Sequence, residues 1–199
     1  QKQNIERTDY EKDKFIIMYH GFIAERNGLG TALDAISDVR EEIPNLLFKV
    51  YGDGDYTETF LKLRNELHLE DIVQYNGAVS QEKIVDAIHT IDIGLIPNKK
   101  TPFTDINFPT RIFEYITLEK PVIVPKTKCI LDYFNDDSIF YFDPSEPKDL
   151  SKVITRIYNK KEKIAPVLQN GMNVYNKYRW KHQKQHLINI VDNLFNDSK

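Results

Sequence analysis

From Phe15 onward, short runs rich in β-branched and aromatic residues alternate with longer amphipathic stretches, and this alternation constrains the fold more than any other feature of the chain. Apolar runs bounded by Gly, Pro, Asn or Asp read as strands at 15–19, 46–51, 72–75, 91–96, 121–124 and 139–142. Between them, apolar positions spaced three and four apart read as helices at 29–42, 57–68, 81–90, 109–118 and 147–159. One strand followed by one helix, repeated, brings every strand back in the same direction. The pattern predicts an α/β domain built on a doubly wound, six-stranded parallel sheet. After Asp143-Pro144 the pattern is wholly helical, and it ends in a helix over 180–195. There Trp180, Leu187, Ile190, Val191 and Leu194 recur at helical spacing, so this terminal helix is expected to pack one face on the domain.

With 199 residues, 41% hydrophobic and 12% aromatic, the chain can fill one core. Residues 1–14 are polar and charged and read as a linker or tail inside a longer protein, leaving 15–199 as the domain. A net charge of −3 and a pI near 6.0 give no general electrostatic reason to bind nucleic acid. Cys129 is the only cysteine, which excludes an intrachain disulfide and a cysteine metal cluster and fits a reducing cytoplasm. No run approaches the roughly 18 apolar residues that a membrane-spanning helix needs.

The run Phe48-Lys49-Val50-Tyr51 stops at Gly52-Asp53-Gly54, which places a tight loop at the carboxyl end of a strand. In open α/β sheets this is the edge where ligands bind. Three features point there. Gly21 and Phe22 follow the first strand, and Arg26-Asn27-Gly28 opens the first helix; a glycine allows close backbone approach, and an arginine presents a fork suited to phosphate oxygens. Pro109 suits the first turn of a helix, so the amides of Thr110, Arg111 and Ile112 are expected to face an anion such as a diphosphate, with Glu114 one turn further in, placed to accept two hydroxyls of a ribose. Glu119-Lys120-Pro121 joins that helix directly to a buried strand and fixes it against the sheet.

Other candidates carry less. His182 and His186 share a helical face but have no third ligand nearby in sequence, and the basic run 177–186 reads as a solvated helix face. Asp53 with Asp55, and Asp136 with Asp137, lack the flanking strand pattern of a catalytic metal pair. No metal site and no cofactor are expected.

The order His20-Gly21, Arg26-Asn27-Gly28, Val50 to Gly54, Val73 to Val79, Ile91 to Pro97, Phe113-Glu114-Tyr115 and Lys120 to Ile123 resembles the carboxyl-terminal, Rossmann-like domain of GT-B retaining glycosyltransferases of the group 1 type. The resemblance implies a donor site for a nucleoside diphosphate sugar under the strand ends, and an acceptor-binding amino-terminal domain of the same protein. It assigns Arg26 to the diphosphate and Glu114 to the ribose, as the catalytic pair, and Val79 to framing the base. Gly21, Phe22, Gly52, Asp53, Asp105, Asn107, Thr110, Arg111 and Ile112 complete the expected donor site. Three departures stand out: Ile106 where the family often has a second glutamate for the donor sugar, with Asp105 and Asn107 as substitutes; Phe22 where a basic residue is common; and Glu119 where glycine is usual.

The function implied is transfer of a sugar to a hydroxyl acceptor, with retention and without a divalent ion, in cell-envelope or capsule polysaccharide synthesis. The implied location is cytoplasmic, peripheral to the inner membrane face, with any membrane contact made through the missing domain. The alternatives are a non-catalytic nucleotide-binding or interaction domain on the same fold, and a sugar epimerase of GT-B architecture. A dinucleotide oxidoreductase is disfavoured, because no Gly-x-Gly-x-x-Gly follows the first strand.

Overall fold

A strand buried on both faces is expected to be almost wholly apolar, and β1 (Phe15–His20), apolar up to its last residue, is buried at all six positions. It takes a central place in the sheet. A computed structural model describes residues 5–146, 148–159 and 164–196. In it β1 is joined by β2 (Leu46–Tyr51), β3 (Val73–Tyr75), β4 (Ile93–Leu95), β5 (Val122–Pro125) and β6 (Phe140–Phe142) in one parallel sheet of order β3-β2-β1-β4-β5-β6. The order reverses between β1 and β4, whose pairing matches Ile17 to Ile93 and Met18 to Gly94.

A short 3₁₀ turn (Glu25–Asn27) leads into α1 (Leu29–Val39). This helix, α2 (Thr57–Glu66) and α6 (Asp149–Asn159) bury Leu33, Ile36, Phe60, Leu150 and Ile154 against one face of the sheet. On the other face, α3 (Gln81–Thr90), α4 (Arg111–Thr117), the single turn α5 (Lys128–Leu131) and α7 (Ile164–Tyr178) pack around Met18, Ile88, Ile112, Tyr115 and Val124. The predicted α/β architecture stands, with helices on both faces. Strand and helix ends move by a few residues for local reasons. Pro44 follows the last turn of α1, and α2 stops where His68 turns to a φ of 52°. Pro147, the predicted start of the sixth helix, lies outside the described residues.

Two expectations are altered. Residues 5–14, read as a linker or tail, are strapped to the domain. Arg7 pairs with Asp92 at 2.7 Å and donates to the carbonyls of Thr90 and Lys14, while Asp92 accepts the amide of Ile16. Glu11 pairs with Lys49 of β2, both nearly out of solvent at 9% and 5% exposure. The terminal helix α8 (Trp180–Asn196) forms, but its apolar stripe does not pack on the domain: Trp180 is 67% exposed, and Leu187, Ile190, Val191 and Leu194 are all exposed. The helical conformation is interrupted at Arg179, between α7 and α8.

The departure at Glu119 has a conformational meaning. The amide of Lys120 donates to Tyr115 and that of Glu119 to Ile116, the double bond pattern that ends a helix with a left-handed residue, and Glu119 holds that place at φ 58°. A side chain there costs about 1 kcal/mol relative to glycine. Glu119→Gly is therefore expected to raise stability by about that amount, read as an increased urea midpoint with an unchanged slope. Lys120 stays in place by donating to the carbonyls of His89 and Ile91 at 2.9 Å, tying the end of α3 to the end of α4.

Candidate functional site

The loops leaving β1, β2 and β3 are joined to one another through the backbone. Gly21 donates to Tyr51, Ile23 to Asp53 and Gly52 to Gly77, at 2.8–3.0 Å. A Cβ on Gly52 would stand 1.9 Å from the carbonyl oxygen of Gly21, so the two loops touch only because a glycine lies there.

Arg111, the first residue of α4, reaches back onto this edge. Its Nη1 donates to the carbonyl of His20, its guanidinium lies 4.7 Å over the Tyr19 ring, and a Cβ on Gly21 would meet Nη1 at 2.3 Å. The room left by Gly21 is thus filled by a cation from another element. Arg26 approaches from the opposite side, stacked 5.3 Å over Phe103, and its carbonyl accepts the amide of Lys99 at 3.0 Å.

Both arginines open on one cavity of about 220 Å³, bounded also by Asn27, Asn98, Phe103, Thr104, Asn107 and Phe108 to Thr110. Two guanidiniums and no carboxylate line it, which gives it the electrostatics of an anion site. The loop over it is firm, because Thr104 accepts the amide of Thr101 at 2.8 Å and donates to the carbonyl of Lys99 at 2.6 Å.

Arg26, Asn107, Thr110 and Arg111, four of the residues named from the sequence, line this cavity together. The expected amides divide. Ile112 donates its own to Pro109 at 3.1 Å and its side chain is fully buried, so it offers the cavity nothing; the amides of Thr110 and Arg111 have no backbone acceptor among the described residues. Asp105 does not line the cavity: its carboxylate accepts the amide of Lys128 at 3.1 Å, at the start of α5. Asp53 is occupied locally, accepting from Gly54 and from Thr57 Oγ1 at 2.8 Å, and these bonds hold its carboxyl below the usual range. Phe22 is exposed, and only its carbonyl is engaged, by Tyr19 and Asn27. Val79 is half-buried just ahead of Ser80, which caps α3. Ile106, in the place of the second glutamate, is 79% exposed.

Glu114 projects half-exposed from α4, with Oε2 3.7 Å from Nε2 of His20. Burial, helped by the charge of Arg111, lowers the pKa of His20 to about 4, so the ring is neutral near pH 7. Sequence reasoning named His20 only as part of a motif and passed over Asn98. Each is a polar residue ending an apolar run at a strand's carboxyl end, and that was the available signal. Among the described residues no cluster of three or more His, Cys, Asp or Glu side chains is arranged to hold a metal ion.

A family model described as "Glycosyl transferases group 1" matches residues 1–173. TuaH of Bacillus subtilis, which carries the name of a teichuronic acid biosynthesis glycosyltransferase, is 27% identical over 124 residues, covering 61% of this chain and 30% of its own. AmsK of Erwinia amylovora, an amylovoran biosynthesis glycosyltransferase, is 21% identical over 170 residues, covering 84% of this chain and 42% of its own. The chain therefore spans less than half the length of either protein. The crystal structure of Anabaena HepE in complex with UDP superposes with a TM-score of 0.80 at 16% identity, over 95% of this chain and 54% of that one; a UDP-glucose complex of HepE gives 0.79. At such identity the structural likeness speaks for the fold.

Proposed function

This chain belongs to the glycosyl transferases group 1 family, and from that premise we propose that its cleft holds the diphosphate of a nucleoside diphosphate sugar, making the chain the donor half of a two-domain glycosyltransferase. One observation carries the reading: Arg26 and Arg111 face a single carboxylate-free cavity at the carboxyl edge, beside the switch point between β1 and β4. The complexes of HepE with UDP and UDP-glucose support the ligand class.

Negative charge accumulates on the departing diphosphate as the bond to the sugar breaks. Two guanidiniums, that of Arg111 held by His20 and Tyr19, together with the amides of Thr110 and Arg111, are placed for that charge without a divalent ion. Arg111 supplies the cation that Phe22 does not, from α4 instead of from the first loop. Glu114 receives the ribose hydroxyls. The acceptor that carries the hydroxyl is held by an amino-terminal domain of the whole protein, the transfer retains configuration, and the product is a cell-envelope or capsule polysaccharide made on the cytoplasmic side of the membrane. TuaH and AmsK are named for the biosynthesis of such polymers. Among the described residues no helix is long and apolar enough to cross a membrane.

Calorimetric titration with UDP, GDP and ADP in the absence of metal tests the reading. One of the three is expected to bind, and Arg26→Ala and Glu114→Ala are each expected to weaken it about 10- to 100-fold, the effect of losing a hydrogen bond to a charged group. Absence of binding by all three, or indifference to both substitutions, rejects the assignment. The exposed Ile106, with no carboxylate in the cavity to take a sugar hydroxyl, favours the second reading of a nucleotide-binding domain without turnover. Full-length protein that binds the nucleotide sugar yet neither hydrolyses nor transfers it would select that reading.

A further inference from the structure

Among the described residues, two buried side-chain polar atoms have no hydrogen-bond partner, Nε2 of His20 and Oδ1 of Asn98. A buried polar atom without a partner is costly and uncommon in a folded domain. His20 ends β1 and Asn98 follows β4 by three residues, so both atoms lie at the carboxyl edge of the two central strands. Asn98 opens on the anion cavity itself, whereas His20 faces Glu114.

The His20 ring is confined by its surroundings. It ends the fully buried strand β1, lies edge-on to the Tyr115 ring at 5.1 Å, and its carbonyl is held by Arg111. Tyr115 is fixed in turn, fully buried and donating to the carbonyl of Met18 at 3.0 Å. Glu114 is the adjustable member: half-exposed, and 3.7 Å from Nε2, a little beyond hydrogen-bond reach. An exposed glutamate samples several rotamers, and ordering one of them opposes binding. A rigid donor behind the carboxylate, itself lacking a partner, offsets that cost when the two meet.

Building on the reading of the cleft as a nucleoside diphosphate site, we propose that His20 is a positioning residue, whose Nε2–H donates to one oxygen of Glu114 and so presents the other to the vicinal diol of the ligand's ribose. Recognition of ribose against deoxyribose then depends on a side chain that does not touch the sugar. The neutral ring donates without the solvation demand of an imidazolium, and burial, helped by the charge of Arg111, keeps the ring neutral.

The experiment compares UDP with 2′-deoxy-UDP, and GDP and ADP with their 2′-deoxy counterparts, by calorimetry on the unsubstituted chain, on His20→Ala and on His20→Gln, whose amide nitrogen replaces Nε2. The unsubstituted chain is expected to prefer the ribonucleotide by about tenfold, as one charge-assisted hydrogen bond allows. His20→Ala is expected to bring that preference to within about twofold while leaving 2′-deoxynucleotide affinity nearly unchanged, and His20→Gln to restore most of it. Equal weakening toward both nucleotides in His20→Ala would make the role merely structural and overturn the proposal, as would an unchanged preference or an unsubstituted chain indifferent to the 2′-hydroxyl. Failure of the unsubstituted chain to bind any of the six nucleotides is a different result, which removes the cleft assignment and this proposal with it.

Discussion

Lys49→Ala is expected to cost this domain about 4 kcal/mol, because it leaves the Glu11 carboxylate buried without its counter-charge. Lys49 points from the middle of β2 toward the face shared with α3 and α4, and the strap of residues 5–14 crosses there and brings Glu11 onto it. Burial drives the Glu11 pKa up, but the hydrogen bond from Lys49, the amide of Thr8 and the lysine charge outweigh it, and the carboxyl lies below its ordinary value. A lowered folded-state pKa means that the stabilisation is fully present above about pH 4.5 and is lost as pH falls through the folded-state value. The substituted protein should lack that acid-sensitive component. For a domain of this size the loss corresponds to a melting temperature lower by about 8–16 °C in scanning calorimetry. The paired replacement Lys49→Met with Glu11→Leu separates charge from space, and it should restore stability to within about 1 kcal/mol of the parent. If Lys49→Ala costs less than about 1 kcal/mol, solvent reaches the pair and the strap contributes little.

Gly94→Ala is expected to be comparably damaging, by about 3 kcal/mol, and to reduce nucleotide binding as well. Gly94 lies in the middle of β4, under the face of the Tyr115 ring, and an added Cβ would stand 2.5 Å from Cγ of that ring. The ring has nowhere to go, being fully buried with its hydroxyl on Met18. The displacement therefore passes into α4, which carries Arg111 four residues before Tyr115 and Glu114 immediately before it. Urea unfolding and calorimetric titration of the same variant measure the two effects. Combining Gly94→Ala with Tyr115→Leu makes room for the methyl, so the double variant should unfold at a higher urea concentration than the sum of the single losses allows. Strict additivity would mean that the ring and the glycine are not in conflict.

The fold was legible because its determinants are periodic. β1 and β2 are apolar runs interrupted only by His20 and Lys49, α1 and α3 repeat at helical spacing, and boundaries slip by a few residues, as near Pro44 and His68. The site was legible in part. Arg26, Asn107, Thr110 and Arg111 converge because the loop after β4 and the start of α4 meet the first turn after β1. Spacing says nothing of side-chain direction inside an irregular loop, and so it could not show that Asp105 turns to Lys128 or that Asp53 turns to Thr57. Arg111 was expected for its amide, whereas its guanidinium reaches the first strand over 91 residues of sequence. The α8 stripe was read by the rule that an amphipathic face seeks a core, but among the described residues neither apolar cluster of the domain includes it.

The backbone stitching of the loops after β1, β2 and β3 bears on how such a site diverges over evolutionary time. The bonds from Gly21 to Tyr51, from Ile23 to Asp53 and from Gly52 to Gly77 run between main-chain atoms and ask nothing of most neighbouring side chains. Phe22 contributes only its carbonyl to this arrangement, and Ala78 stands exposed beside Gly77. Substitutions at Phe22 or Ala78 can therefore accumulate almost neutrally with respect to folding. A lineage can exchange the side chains that meet a ligand while inheriting the frame intact, and an exposed side chain such as that of Phe22 is the kind of position such a frame leaves free to change.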